Sequence, residues 1–193
     1  MAVSNKALAY MMGMQSQKLL TTAKHFPGHG DTGVDSHYDL PVISHDKKHL
    51  SENELFPFKY LINNGLSGVM TAHLSIPSLD NTPNLASTFS TNIVSDLLRK
   101  ELGFEGLTFT DAMDMQGAVK YFPNGEALVK AILAGNDILE TFEDVPLAVD
   151  AIKAAIDSKK LPIEILDQRV KKILKAKSWV GLDHYEPIKL EGL

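Results

Sequence analysis

Four short β-rich runs punctuate the chain, at residues 20–26, 68–74, 107–110 and 136–142, and each closes on side chains that carry chemistry. The first ends in Lys24 and His25, the second in Thr71 and His73, the third in Asp111, and the fourth contains Glu140. Helical patterns fill the intervals. They cover 4–18, then a stretch that opens at Ser51-Glu52-Asn53-Glu54, a capping-box pattern, and closes at Gly65. A third runs from Ser90 to Gly103, and a fourth starts at Asn124 or Gly125 and stops at Gly135. Two more follow near 145–157 and 162–179, the last with Ile163, Leu166, Val170, Ile173 and Leu174 at helical spacing. Strand alternating with helix implies a parallel sheet with crossover helices. Polar residues at the carboxyl ends of parallel strands mark the ligand face of a (βα)₈ barrel, and equally that of an open doubly wound sheet.

The segment after the first run is dense in titratable groups. Lys24-His25-Phe26-Pro27-Gly28-His29-Gly30-Asp31-Thr32 is followed by Asp35-Ser36-His37. Gly28 and Gly30 give the loop backbone freedom, because glycine reaches positive φ without steric cost. Asp35 and His37 project to one side if their backbone is extended. The carboxylate then orients one imidazole nitrogen and leaves the other for proton transfer near neutral pH. Asp111, directly after a strand, is placed either to cap a turn or to act as a nucleophile, with Asp114 a competing carboxylate three residues on. An unpaired lysine is costly to bury, so Lys24 at a strand end points to a ligand contact more than to packing.

These two segments, Lys24–His37 and Phe109-Thr110-Asp111-Ala112-Met113-Asp114-Met115, resemble the signatures of family 3 glycoside hydrolases, in their β-N-acetylglucosaminidase branch. The resemblance implies a retaining exo-hydrolase of terminal β-linked GlcNAc, with peptidoglycan fragments or other glycans as substrate. It makes Asp111 the catalytic nucleophile, His37 the acid/base and Asp35 its orienting partner. Lys24 and His25 match residues that hydrogen-bond sugar hydroxyls. His73 joins them as a substrate contact, against a core histidine as the alternative, and Met113 as a contact for an acetamido group, against core packing. His29 and Asp31 are read as loop anchors. No cofactor is implied.

The resemblance also favours the barrel, but only in part. A complete barrel has eight strands in typically about 250 residues, whereas four βα units are legible here. Residues 1–182 therefore read as the second half of a (β/α)₈ barrel, a partial α/β catalytic domain, and 183–193 as the start of a linker. A half barrel exposes apolar edge and interior, which implies self-association or completion by an N-terminal half. Two other outcomes stay open: an inactive half barrel, and phosphorolysis in place of hydrolysis.

Composition mainly excludes. A formal net charge of −5 leaves no basic footprint for nucleic acid, and the lysines at 171, 172, 175 and 177 read as a solvated helix face. The absence of cysteine removes disulfides and thiolate metal sites. No apolar run is long enough to span a membrane. Residues 1–6 lack the apolar stretch of a secretion signal, and the compartment stays open. Five histidines fall between His25 and His49, yet no H-E-x-x-H spacing occurs and no metal site is expected.

Overall fold

The computed structural model describes residues 1–30, 32–33, 39–122, 125–140 and 144–184. Three strands form one parallel sheet in chain order: β1 (Thr22–Phe26), β2 (Gly68–Thr71) and β3 (Leu107–Thr110). Thr22 stands beside Gly68, and Gly68 beside Leu107. The register slips between Ala23 and Phe26, where the Lys24–His25 and Phe26–Pro27 peptides are cis.

The expected fourth strand, 136–142, is shorter than its sequence implies, and residues 141–143 lie outside the described ones. Among those described it is a single parallel bridge between Phe109 and Ile138. The ladder starts normally, with Ile138 N–H donating to Thr108 O and Thr110 N–H to Ile138 O. The next donor, Glu140 N–H, turns to the Thr110 hydroxyl at 2.9 Å, and the pairing stops there.

Seven α-helices flank the sheet among the described residues: α1 (Ala2–Gln15), α2 (Lys47–Glu52), α3 (Leu55–Ile62), α4 (Gln116–Val119), α5 (Glu126–Ala134), α6 (Val145–Asp157) and α7 (Ile163–Trp179). A π-helical segment, Asn92–Glu101, precedes β3. The helix expected to open at Ser51 is instead two. Asp46 caps α2, its Oδ1 accepting from His49 N–H at 2.8 Å. The break follows from Pro57, which has no N–H to offer the Asn53 carbonyl one turn earlier. The helix expected from Asn124 or Gly125 begins at Glu126, and Asn124 is outside the described residues. The short α4 was not legible. The expected linker, 183–193, is described only to His184, in a single 3-10 turn from Leu182.

The core lies between sheet and helices. Phe26, Val69, Leu74, Ile93 and Leu98 are sealed in its main cluster, each worth roughly 1.5–3 kcal/mol of burial. Phe89, Met113 and Ala131 belong to a second cluster beyond β3. The two flanks are different. Helix α1 leaves Val3, Tyr10 and Met12 largely in solvent, and α7 leaves Val170, Leu174 and Trp179 so, with no α7 residue fully buried.

At the amino end of the strands a single carboxylate organises the fold. The Asp137 side chain is fully buried and its Oδ2 accepts from Arg99 Nη2 at 2.6 Å, Lys172 Nζ at 2.7 Å and Thr108 N–H at 2.9 Å. Arg169 approaches its other oxygen at 3.5 Å. Lys172 is thus not part of a solvated face. Burial, and then the Arg99 and Arg169 charges, push its ammonium down to about 8 against the pull of Asp137.

Candidate active site

β1 and β3 deliver their polar ends to the opposite, carboxyl edge of the sheet. Lys24 is exposed there and His25 half-buried. Asp111 follows β3 directly, its backbone N–H donating to Thr71 O at 3.0 Å, so the last rung of the ladder fixes its position. One carboxylate oxygen, Oδ1, accepts from Ala112 N–H at 2.9 Å. The other, Oδ2, lies 3.5 Å from His25 Nε2, and the Asp111 side chain is 21% exposed. One oxygen is held by a backbone N–H and the other lies beside the His25 ring. Burial lowers the His25 pKa, against the pull of Asp111 and with the help of Lys24 and His29. The lowered value favours a neutral imidazole beside the Asp111 carboxylate.

The loop after β1 is shaped by close approach. Gly28 has φ +136°, and a Cβ there would start 2.6 Å from the Cβ of Glu54. Only glycine lets the loop lie on the start of α3 in this way. His29 packs edge-on against His25, ring centroids 5.9 Å apart, and its Nδ1 is 3.1 Å from the Thr32 hydroxyl. That geometry supports the anchoring role expected of His29. Asp31, Asp35 and His37 lie outside the described residues.

Two of the expected substrate contacts are corrected. His73 is 1% exposed, and its ring nitrogens stand 3.1 Å from the Ala112 carbonyl and 3.1 Å from the Thr88 hydroxyl. A carbonyl only accepts, so Nε2 carries the proton. Desolvation holds the ring pKa down, which keeps His73 neutral. It therefore positions the residue after Asp111 and has no free edge for a sugar. Met113 is also buried, in the cluster with Phe89 and Ala131, because its N–H is drawn to the Glu140 carbonyl at 2.8 Å. Glu140 itself is exposed, and its backbone N–H donates to the Thr110 hydroxyl.

Sequence reasoning missed two residues that hold this edge. Asn136, fully buried, accepts from the Thr71 hydroxyl at 3.0 Å and donates to Thr88 O and Ala131 O, both at 2.9 Å. Glu54 underlies the loop. An asparagine following Gly135 reads as a helix stop, and nothing in its spacing reveals partners 65 and 48 residues away.

A cavity of about 760 Å³ opens beside β1, between Val3, Tyr10 and Met14 on one side and Lys24, His25 and His29 on the other. Asp111 is not in its wall. The cavity marks the outer edge of β1, which pairs only with β2 among the described residues.

Comparison with known proteins gives a consistent answer. The profile of the "Glycosyl hydrolase family 3 N terminal domain" matches residues 1–176. The chain is 34% identical over 198 residues to a protein named Beta-hexosaminidase A from Pseudoalteromonas piscicida, covering 91% of this chain and 33% of that protein. It is 34% identical over 165 residues to a Beta-hexosaminidase from Nitrosomonas eutropha, covering 82% of this chain and 47% of that one. Among solved structures, a glycoside hydrolase family 3 beta-N-acetylglucosaminidase from a Paenibacillus species superposes with a TM-score of 0.92 at 36% identity. That match covers 98% of this chain and 36% of the other. The chain thus spans between a third and a half of the length of these relatives.

Proposed function

The chain belongs to glycoside hydrolase family 3, within its N-terminal domain, and from that premise we propose that the protein carrying it is a retaining exo-β-N-acetylglucosaminidase. Its substrate is a glycan with terminal β-linked GlcNAc. The observation that carries this reading is the partly exposed Asp111 carboxylate, held at a strand tip with one oxygen pinned by a backbone N–H and the other beside the His25 ring. A nucleophile needs that combination of fixed direction and free lone pair.

In the proposed reaction Asp111 attacks the anomeric carbon and the glycosidic bond breaks, leaving a covalent glycosyl-enzyme. His37, protonated and oriented by Asp35, gives its proton to the departing oxygen. The neutral imidazole then takes a proton from water, which attacks the same carbon and frees Asp111. Lys24 and His25 hold sugar hydroxyls. A neutral His25 serves this better than a charged one, because it hydrogen-bonds without blunting the nucleophile.

Residues 1–182 serve in this reading as the second half of the barrel. The apolar side chains exposed on α1 and α7 support it, since those are the flanks where the remaining strands and helices would pack.

The test is hydrolysis of an aryl β-GlcNAc substrate by the purified chain, alone and joined to the complementary barrel half, with Asp111→Ala beside each. Activity that disappears in the variant supports the assignment. Variant activity equal to that of the parent removes Asp111 from the chemistry. Added inorganic phosphate separates the alternative, because a phosphorylase releases the sugar 1-phosphate and a hydrolase the free sugar.

A further inference from the structure

His45, His49 and Glu54 converge where the chain enters α2 and α3. The Asp46 cap fixes His49 in the first turn of α2, and its ring stacks on that of His45, centroids 3.9 Å apart and planes 19° from parallel. His49 Nε2 lies 3.5 Å from Glu54 Oε1. One nitrogen from each histidine and one Glu54 oxygen all fall within 4.8 Å of one another. Glu54 is anchored from below by the close approach of Gly28, and its second oxygen, Oε2, is buried without a hydrogen-bond partner among the described residues.

Oε1 faces His49 while Oε2 is the unpaired atom, and buried carboxylate oxygens are rarely left so, which leaves this carboxylate short of a partner. A charged hydrogen bond between imidazole and carboxylate would close to about 2.7–2.9 Å. Two ligands bound tetrahedrally to zinc at 2.0–2.1 Å lie about 3.3–3.4 Å apart. The observed separation of 3.5 Å fits the edge of such a tetrahedron better than it fits a hydrogen bond.

We propose that His45, His49 and Glu54 bind a divalent transition-metal ion, with Zn²⁺ the best match to two imidazoles and one carboxylate. The two rings turn out of their stack on binding so that both in-plane lone pairs meet the ion, and three protein ligands leave the fourth position to water. The ion draws a charge partner to the Glu54 carboxylate and ties the segment before α2 to the start of α3, beneath the Gly28 loop that follows β1. Sequence holds a faint signal: histidines four apart with a glutamate five residues on, but split across a helix break that the usual zinc spacing does not contain.

The experiment is calorimetric titration of Zn²⁺ into the metal-stripped chain, prepared without a histidine tag. Co²⁺ absorption reports coordination, because tetrahedral cobalt shows intense visible bands. One equivalent of Zn²⁺ should bind, and His49→Ala and His45→Ala, each checked for native circular dichroism, should each weaken it at least tenfold. Glu54→Gln should do the same and abolish the tetrahedral cobalt bands. No binding by the parent chain overturns the proposal. So does tight binding that survives both histidine variants, or binding lost in Asp111→Asn but kept in His49→Ala. The readout is metal occupancy, so its failure leaves the hydrolase reading as it stands.

Discussion

Thr108 lies on β3 and Asp111 just past its end, three residues on, and the two belong to opposite regimes. At the amino end, Thr108 joins a closed set in which Asp137 is matched by Arg99, Lys172 and backbone N–H, with Arg169 beside it. At the carboxyl end, Asp111 keeps one oxygen for His25 and the site beyond. The base of the sheet pairs its charges and hides them, whereas the tip holds its charges in place and leaves them usable. A parallel sheet invites this division, because every crossover returns to the base and leaves the loops at the tip to vary.

The comparison breaks first at Asp111. Asp111→Ala should reduce turnover on aryl β-GlcNAc at least about 10⁴-fold, roughly 5.5 kcal/mol of barrier, while thermal unfolding stays close to that of the parent. An unfolding midpoint that collapses along with activity would place Asp111 with the structural residues.

Asp137→Ala should do the reverse. Removing the carboxylate strands three cations around a buried site, and losses of about 3–5 kcal/mol are typical of breaking such a set. Urea denaturation reads this directly. A change below about 1 kcal/mol, the range of an exposed ion pair, would mean the base is not organised by this residue.

Gly28→Ala tests the tip by another route. It forces a side chain into the Glu54 contact at φ +136°, a strain on the order of 1–3 kcal/mol. The expected result is a larger loss in kcat/KM than in stability, because the distorted loop directly follows the β1 end that carries Lys24 and His25. Equal stability and activity in the variant would show that the loop does not need this approach.

The smallest effect is the pH response of Lys172. Its folded pKa is pushed down to about 8 from 10.5, so between these values the unfolded chain binds more protons and stability rises with pH. Lys172→Met should flatten that rise between about pH 8 and about pH 10, read as urea midpoints against the parent. An undiminished slope would assign the titration to another group.

Much of the tip was readable in the sequence, and little of the base. Strand ends that gather Lys24, His25 and Asp111 within two short segments leave a local signature. The base depends on Arg99, Asp137 and Lys172, separated by 38 and 35 residues, and no period connects them. Lys172 looks solvated because its neighbours in sequence are lysines, and it is only partly exposed because its ammonium reaches Asp137 at the amino ends of the strands. His73 and Met113 show the opposite error. His73 is expected at the site because it ends its strand and Met113 because it lies in the Asp111 segment, but both side chains are buried, as a core histidine and core packing would be. The helix break at Asn53 is written in the sequence as Pro57, although Ser51-Glu52-Asn53-Glu54 has the form of a capping box.

The most direct measurement is trapping of the covalent intermediate. A slow fluorinated GlcNAc donor, incubated with the protein carrying both barrel halves, should leave one sugar attached. Peptide mass spectrometry should then place it on Asp111, and Asp111→Asn should not accumulate it. A stable adduct on any other carboxylate, Asp114 included, would contradict the account.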